Sequence, residues 1–298
     1  MSSVAFVGIG NMGAALAETL LKTSSHKVTI WNRTADRPQV KAVIEAGATF
    51  ESNIEAAINS DVVIICVLDY DTIYRALEPI QASTSALSEK VIINLTNGTP
   101  RQAREMQQWI KARGAAFYFD GAVMVPPQLV GTEHSFILYS GENQEVFTQK
   151  VADVVKTLGS SQYTGEDVNS AATDDLAALS TMYGMFAGFF AGLGLVRKQV
   201  GTNGKVSPSV SKVVVPVMTA MVPYLSSIAE TIDGNDWNNN LGNPLGMQVA
   251  GVRNILQACK EESVNGASLE AFVKTMQRTV DAKGGDVGVP AVALYHDE

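Results

Sequence analysis

The chain has 298 residues, 46% of them hydrophobic and 17% charged, with a formal net charge of −8. That length suits two domains with ample core, and the acidic balance excludes a nucleic-acid backbone as partner, since phosphates demand a basic face. Two cysteines make no disulfide framework, the scattered His26, His134 and His296 make no metal cluster, and no basic amphipathic stretch marks a membrane surface.

In chain order, an apolar strand over residues 4–8 runs into Gly8-Ile9-Gly10-Asn11-Met12-Gly13, then into a helical pattern over 14–22 and a second strand over 27–31. Strand, glycine turn, helix and strand together form a dinucleotide-binding fingerprint. The first two glycines let the backbone turn and approach a pyrophosphate, and the third lets helix and strand pack closely. The helix N-terminus adds free N–H groups and partial positive charge. An NAD enzyme carries a carboxylate at the end of the second strand for the ribose 2′-hydroxyl. This chain has Asn32-Arg33-Thr34 there, with Arg37 one turn on. Guanidinium groups pair with a 2′-phosphate and the polar neighbours add neutral hydrogen bonds, so the expected cofactor is NADP(H).

Helical patterns over 38–46, 71–80, 100–113 and 144–158 alternate with strands over 62–68, 91–95, 117–120 and 136–140. Such alternation predicts a mostly parallel sheet covered by helices on both faces. Beyond Asp167 the pattern is helical only, with runs over 208–232, 245–262 and 269–281. Pro216 and Pro223 are expected to kink the first, and Gly284-Gly285 to close the last. The expected class is therefore α/β: a Rossmann dinucleotide-binding domain over 1–165, then a long interdomain helix and an all-helical C-terminal domain over 166–298.

Residues 176–196 form a 21-residue uncharged stretch with Gly184, Gly188 and Gly192 at small-xxx-small spacing. Its length fits a membrane span. It stands alone in a nucleotide-binding chain and lacks an aromatic belt, so burial in a core or subunit interface is expected instead, and no membrane. A helical half of ~100 residues covers such a helix poorly by itself, which points to a homodimer. The first residues read as a strand, so no leader is expected, and Cys66 and Cys259 read as buried apolar groups in a reducing compartment. The expected location is cytoplasmic.

Ligands of open α/β sheets lie beyond the carboxyl ends of the strands. Three loops leave those ends: Leu68-Asp69-Tyr70-Asp71, residues 94–100, and Gly121 through Pro127. Leu68 joins the glycine loop as a cofactor contact. Asn94 ends its strand beside the expected nicotinamide, whereas Asn97-Gly98 reads as turn chemistry and Thr99-Pro100 as a helix cap. On the long helix, Tyr183 lies eight residues beyond Asp175, about 80° round and ~12 Å along. Asp174 is about 180° from Tyr183 and faces elsewhere. Two readings stay open for this pair: a working carboxylate and phenol, or a helix-start charge and a core aromatic.

With these residues assembled, the chain resembles the imine reductases, most closely the fungal reductive aminases, within the broad β-hydroxyacid dehydrogenase group. The resemblance spans essentially the whole length and rests on GIGNMG, WNRT, INLTNGTP, ILYSGE, DDLAALSTMYGMF, PYLSSIA and LGMQVAG. It implies NADPH-dependent reduction of imines, including reductive amination of ketones or aldehydes with amines, in a homodimer with shared active sites. Asp175, Tyr183 and Asn94 would be catalytic. Met124, Val125, Leu179, Val217 and Tyr224 would line the substrate pocket, with Met247 and Gln248 contributed by the partner subunit. Asp175 falls where the hydroxyacid enzymes carry a lysine, and Met124-Val125-Pro126-Pro127 replaces their glycine-rich loop. Val217 departs from the bulky tryptophan of relatives. A hydroxyacid dehydrogenase-like enzyme and a non-catalytic NADP-binding scaffold are the competing functions.

Overall fold

The structure is a computed structural model and describes residues 2–81 and 86–296. It divides into two compact units, Met1–Leu179 and Ser180–Glu298. The first is built on an eight-stranded sheet: β1 (Ser3–Val7), β2 (Lys27–Trp31), β3 (Thr49–Phe50), β4 (Val62–Ile65), β5 (Val91–Asn94), β6 (Phe117–Val123), β7 (Phe136–Ser140) and β8 (Ser160–Gly165). The order is β3-β2-β1-β4-β5-β6-β7-β8. Strands β1 to β6 run parallel, β7 is antiparallel to β6, and β8 runs parallel to β7. The direction of winding reverses between β1 and β4, which opens a crevice beyond their carboxyl ends.

Helices α1 (Asn11–Thr23), α2 (Pro38–Glu45), α3 (Ile54–Ala57), α4 (Tyr70–Leu77), α5 (Pro100–Lys111), α6 (Gln144–Lys150) and α7 (Ala152–Val155) accompany the sheet. Alternate residues of β1 enter different cores, as the period-2 strand geometry requires. Val4 and Phe6 pack with Leu16, Ile30 and Ile64, while Ala5 and Val7 pack with Ile65, Ile73 and Met106. Every residue of β4 and β5 is buried, which is why these strands read as unbroken apolar runs.

Several boundaries differ from expectation for local reasons. The single helix expected over 144–158 breaks at Val151 (φ −115°), and the change of direction lets Val151, Val154, Val155 and Leu158 all reach the core. Strand β8 was invisible to apolar patterning because it reads Ser-Ser-Gln-Tyr-Thr-Gly, and β3 is only two residues long. α1 begins three residues earlier than the apolar pattern does, at Asn11.

Helix α8 (Ser170–Val200) carries the chain into the second unit, followed by α9 (Ser207–Ser209), a π turn (Val210–Val214), α10 (Val215–Asp233), α11 (Leu245–Glu261), α12 (Ala267–Lys283) and a 3-10 turn (Val289–Tyr295). Leu245, Val249, Met276, Ala291 and Val292 form the small core. The π turn directly precedes Pro216, whose ring would clash with a carbonyl one α-turn earlier, so the wider turn absorbs the proline. Pro223 lies inside α10. Gly284 ends α12 at φ +93° with its N–H on the Val280 carbonyl. The expected burial of the apolar helix does not occur within one chain. Tyr183, Met185, Phe186 and Phe190 of α8 are exposed, as are Val215, Met218, Val222 and Leu225 of α10. Between these helices runs an open apolar groove of about 840 Å³.

At Gly13 an added Cβ would stand 2.1 Å from the Gly8 carbonyl oxygen, backbone against backbone. Gly13→Ala is therefore expected to lower unfolding free energy by about 1–3 kcal/mol, read as a lower urea midpoint at unchanged m-value.

Candidate active site

The glycine loop is shaped by contacts that leave its mouth open. Gly8 adopts φ +99°, donates its N–H to the Trp31 carbonyl at 2.9 Å, and has room for no Cβ, since one would meet the Cys66 carbonyl at 2.4 Å. A Cβ on Gly10, by contrast, would meet nothing within 4 Å. Gly10 is the N-cap of α1 and supplies no side-chain cap, so the N–H groups of the first turn are left to a ligand. Open space over uncapped donors fits the pyrophosphate of a dinucleotide.

Ile9 is fully buried and its N–H donates to Asn32 Oδ1 at 2.9 Å, while Asn32 Nδ2 donates to the Thr34 carbonyl at 2.8 Å. Asn32, expected on the 2′-phosphate, thus ties the glycine loop to the end of β2. Asn11 Oδ1 accepts from Gln39 Nε2 at 2.8 Å, which links the starts of α1 and α2, and Met12 packs against the core. Arg33, Thr34 and Arg37 are exposed beside this mouth. The carboxylate between the arginines, Asp36, pairs with Lys41 at 3.5 Å. Leu68 is 87% exposed, an apolar side chain that a bound cofactor would cover.

A second constellation lies beyond β5 and β6. Asp120 is 2% exposed and its Oδ1 accepts from Tyr70 Oη at 2.9 Å, Tyr118 Oη at 3.1 Å and Asn94 Nδ2 at 3.0 Å. Burial pushes its carboxyl up to about 7, against the pull of the three donors, with the charge of Asp175 adding to the rise. Asn94 is wholly buried, with Oδ1 accepting from the Thr96 N–H and Nδ2 shared between Asp120 and Tyr118 Oη. Asn94 was expected beside the nicotinamide; its amide here is turned inward, onto Asp120 and Tyr118.

The exposed amide of this turn is that of Asn97, expected to serve turn chemistry. Asn97 Nδ2 donates to Asp175 Oδ2 at 2.6 Å. Gly98 is needed beside it, since a Cβ there would stand 2.2 Å from the Tyr70 ring. Thr99 forms a complete capping box with Gln102 at the start of α5, as expected of it. Asp175 is buried, whereas Asp174 is exposed. Burial raises the Asp175 carboxyl above its ordinary value, opposed by the Asn97 hydrogen bond.

The remaining candidates lie apart from this cluster in sequence. Met124 and Val125 are half-buried against the sheet cores, and Leu179 is half-buried at the end of the first unit. In the second unit Tyr183 is 63% exposed with its ring against Phe186, and Val217 and Met247 are also exposed. Tyr224 keeps a buried hydroxyl without a hydrogen-bond partner, and Gln248 Nε2 donates to the Asn243 carbonyl at 2.8 Å.

Comparison with known proteins bears on both units. A family described as the NAD binding domain of 6-phosphogluconate dehydrogenase matches residues 3–165, and the NADPH-dependent reductive aminase-like C-terminal domain matches 167–295. An NADPH-dependent reductive aminase of Aspergillus oryzae is 36% identical over 98% of this chain and 96% of its own length. This chain belongs to the NADPH-dependent reductive aminases. A reductive aminase from Aspergillus terreus, solved with NADPH4, cyclohexanone and allyl amine, superposes with a TM-score of 0.88 at 34% identity, covering 99% of both chains. An imine reductase from the same organism, solved with dibenz[c,e]azepine and NADPH4, gives 0.87 at 34% identity, again covering 99% of both. The cofactor of this reductive aminase is NADPH, and membership of an enzyme family sets aside the non-catalytic scaffold.

Removing a charge-assisted contact costs roughly 1.5–3 kcal/mol, or about 10- to 100-fold in affinity. Arg33→Ala is expected to raise the Michaelis constant for NADPH by that factor and leave the constant for NADH nearly unchanged, as initial rates at 340 nm will report.

Proposed function

We propose that this enzyme reduces C=N bonds to amines and also joins ketones or aldehydes to amines in the same pocket. The observation that carries this reading is Asp175, a buried carboxyl at the start of α8 held by the Asn97 amide. It stands where the hydroxyacid dehydrogenases that the chain resembles carry a lysine. A carboxyl favours an iminium cation and can protonate an imine nitrogen, whereas it repels a hydroxyacid alkoxide.

NADPH, when bound, supplies the hydride. Gly8, Gly10, Gly13 and the first turn of α1 hold its pyrophosphate, Arg33, Thr34 and Arg37 take the 2′-phosphate, and Leu68 covers an apolar face. Asp175 stabilises the positive charge on the substrate nitrogen as a carboxylate, or gives that nitrogen its proton as an acid. Burial raises the carboxyl and thereby brings the acid form closer to neutral pH. Asn97 orients it, and Asn94 supports the turn that carries Asn97. On the family resemblance, Tyr183 is proposed as a second polar group for the substrate, and Met124, Val125, Leu179, Val217 and Tyr224 as substrate contacts. Holding carbonyl and amine together in that apolar space favours their condensation.

The working division is a nucleotide domain over 1–165 and a helical domain over 166–298. The apolar faces of α8 and α10, left exposed by the single chain, are covered by a second copy. Obligate homodimers bury surfaces of this composition. Each active site then takes Asp175 from one chain and Met247 and Gln248 of the partner subunit. Both cysteines are free and buried, which suits the reducing cytoplasm.

Asp175→Asn is expected to lower turnover of a cyclic imine about 10²- to 10⁴-fold, and Tyr183→Phe to lower it as well, with NADPH affinity intact. Asp174→Asn is expected to do little, and a crippled Asp174→Asn enzyme with an intact Asp175→Asn enzyme would reverse the assignment. Complementation tests the shared site: an Asp175→Asn chain is co-expressed with a chain inactivated at Met247 and Gln248. A mixed dimer regains activity through its one intact site. No recovery in verified heterodimers means that all these groups come from one chain.

A further inference from the structure

Among the described groups around Asp120, Tyr70 comes from α4, Asn94 from β5, Tyr118 from β6 and Asp175 from α8. None is a cation. A carboxyl buried to 2% exposure is held by neutral donors alone, although the reaction as proposed gives it no task. A structural acceptor for three hydrogen bonds does not need to be ionisable, since an amide oxygen accepts as well.

Two physical links run from Asp120 to Asp175. One is mechanical. Tyr70 Oη donates to Asp120, the Tyr70 ring lies under Gly98, and the adjoining Asn97 donates to Asp175. In parallel, Asp120 holds Asn94, whose Oδ1 takes the Thr96 N–H, and Thr96 Oγ1 in turn accepts from the Val67 N–H at 3.2 Å. The whole turn from Asn94 to Gly98 is therefore seated on the Asp120 cluster. The other link is electrical: the negative charge of Asp175 adds to the rise of the buried Asp120 carboxyl. Asn97 is the one side chain described as donating to Asp175, and it is neutral.

We propose that Asp120 is a positioning residue for the reaction: it seats the turn that aims Asn97 at Asp175, and its own proton sets how much negative charge the pair presents to a cationic substrate. The proposal rests on the assignment of Asp175 to the active site. With the proton on Asp120, the pair can present one negative charge. Without it, two like charges share a space of low dielectric and each raises the affinity of the other for a proton. The pair thus releases its last proton near neutrality, and its attraction for an iminium rises as pH passes through about 7.

The test uses the complete enzyme with NADPH and a permanently charged N-methyl-dihydroisoquinolinium, which cannot itself titrate. For the unaltered enzyme kcat/KM is expected to rise with pH through the neutral range. Asp120→Asn removes the titrating carboxyl but keeps an acceptor, so the rise near neutrality is expected to disappear. Tyr70→Phe removes a donor to the ionised form, so the inflection is expected to move up. Loss of the neutral inflection in Asp120→Asn and its upward shift in Tyr70→Phe, with the NADPH Michaelis constant within about two-fold of the parent, support the proposal. A purely structural Asp120 would scale kcat/KM equally at every pH and leave the neutral inflection in place in Asp120→Asn, which overturns it. Should Asp120→Asn not fold, carboxyl ¹³C NMR of the aspartate-labelled parent decides. A carboxyl titrating near pH 7 that moves upward in Tyr70→Phe supports the assignment, and a full set titrating below about 5 refutes it. Full activity of Asp175→Asn would instead locate the error in the active-site reading.

Discussion

At the start of α1 the backbone of Gly13 lies against the Gly8 carbonyl so closely that a methyl group would stand 2.1 Å from it. That approach sets the axis of the helix relative to β1 and β4, and with it the direction in which the uncapped N–H groups point. Asn32 reinforces the arrangement from β2 by accepting from Ile9. The cofactor mouth, the exposed arginines after β2 and the exposed Leu68 after β4 then all lie at the carboxyl edge of one sheet, because parallel strands bring their ends to the same side. A side chain at either glycine displaces backbone, and every later contact in the nucleotide half inherits the error.

The polar cluster beyond β5 obeys a different constraint. An ionised carboxyl in an apolar interior carries a penalty of several kcal/mol. Three hydrogen bonds to a charged acceptor return roughly 1.5–3 kcal/mol each. These magnitudes are comparable, so neither protonation state of Asp120 dominates by a wide margin, in keeping with a carboxyl pushed up to about 7. The same near-balance explains why Tyr70, Tyr118 and Asn94 all turn inward toward one oxygen. Loss of any donor would tip the group toward its neutral form. The Asn94–Pro100 turn is consequently held at two ends, by the cluster beneath it and by the Thr99 capping box after it.

Much of this was legible in the sequence where one physical signal acted alone. The glycine fingerprint and the burial of β4 and β5 follow from spacing and hydropathy. Reading failed where two signals coincide. Asn97 precedes a glycine, so its turn propensity hid its role as a donor to Asp175, and the inward turn of the Asn94 amide leaves no mark on hydropathy. Asp120 escaped notice because a single carboxyl in an apolar strand carries no motif, and only the convergence of α4, β5 and β6 reveals its partners. Strand β8 is polar and pairs at the sheet edge, so hydropathy could not find it. The apolar stretch of α8 was recognised, yet sequence could not separate a core helix from a surface that one chain leaves bare.

Asp120 also couples protons to folding. In the unfolded chain its carboxyl titrates near 3.8, and in the folded chain near 7. Between those values the native state binds a proton that the unfolded state has released, so folding takes up a proton from solvent. The contribution to stability is complete below the unfolded value and is lost as pH rises through the folded one, the reverse of a salt-bridged aspartate. Mild acid therefore tightens this part of the nucleotide unit, and the buried carboxyl becomes a weak point on the alkaline side of neutrality.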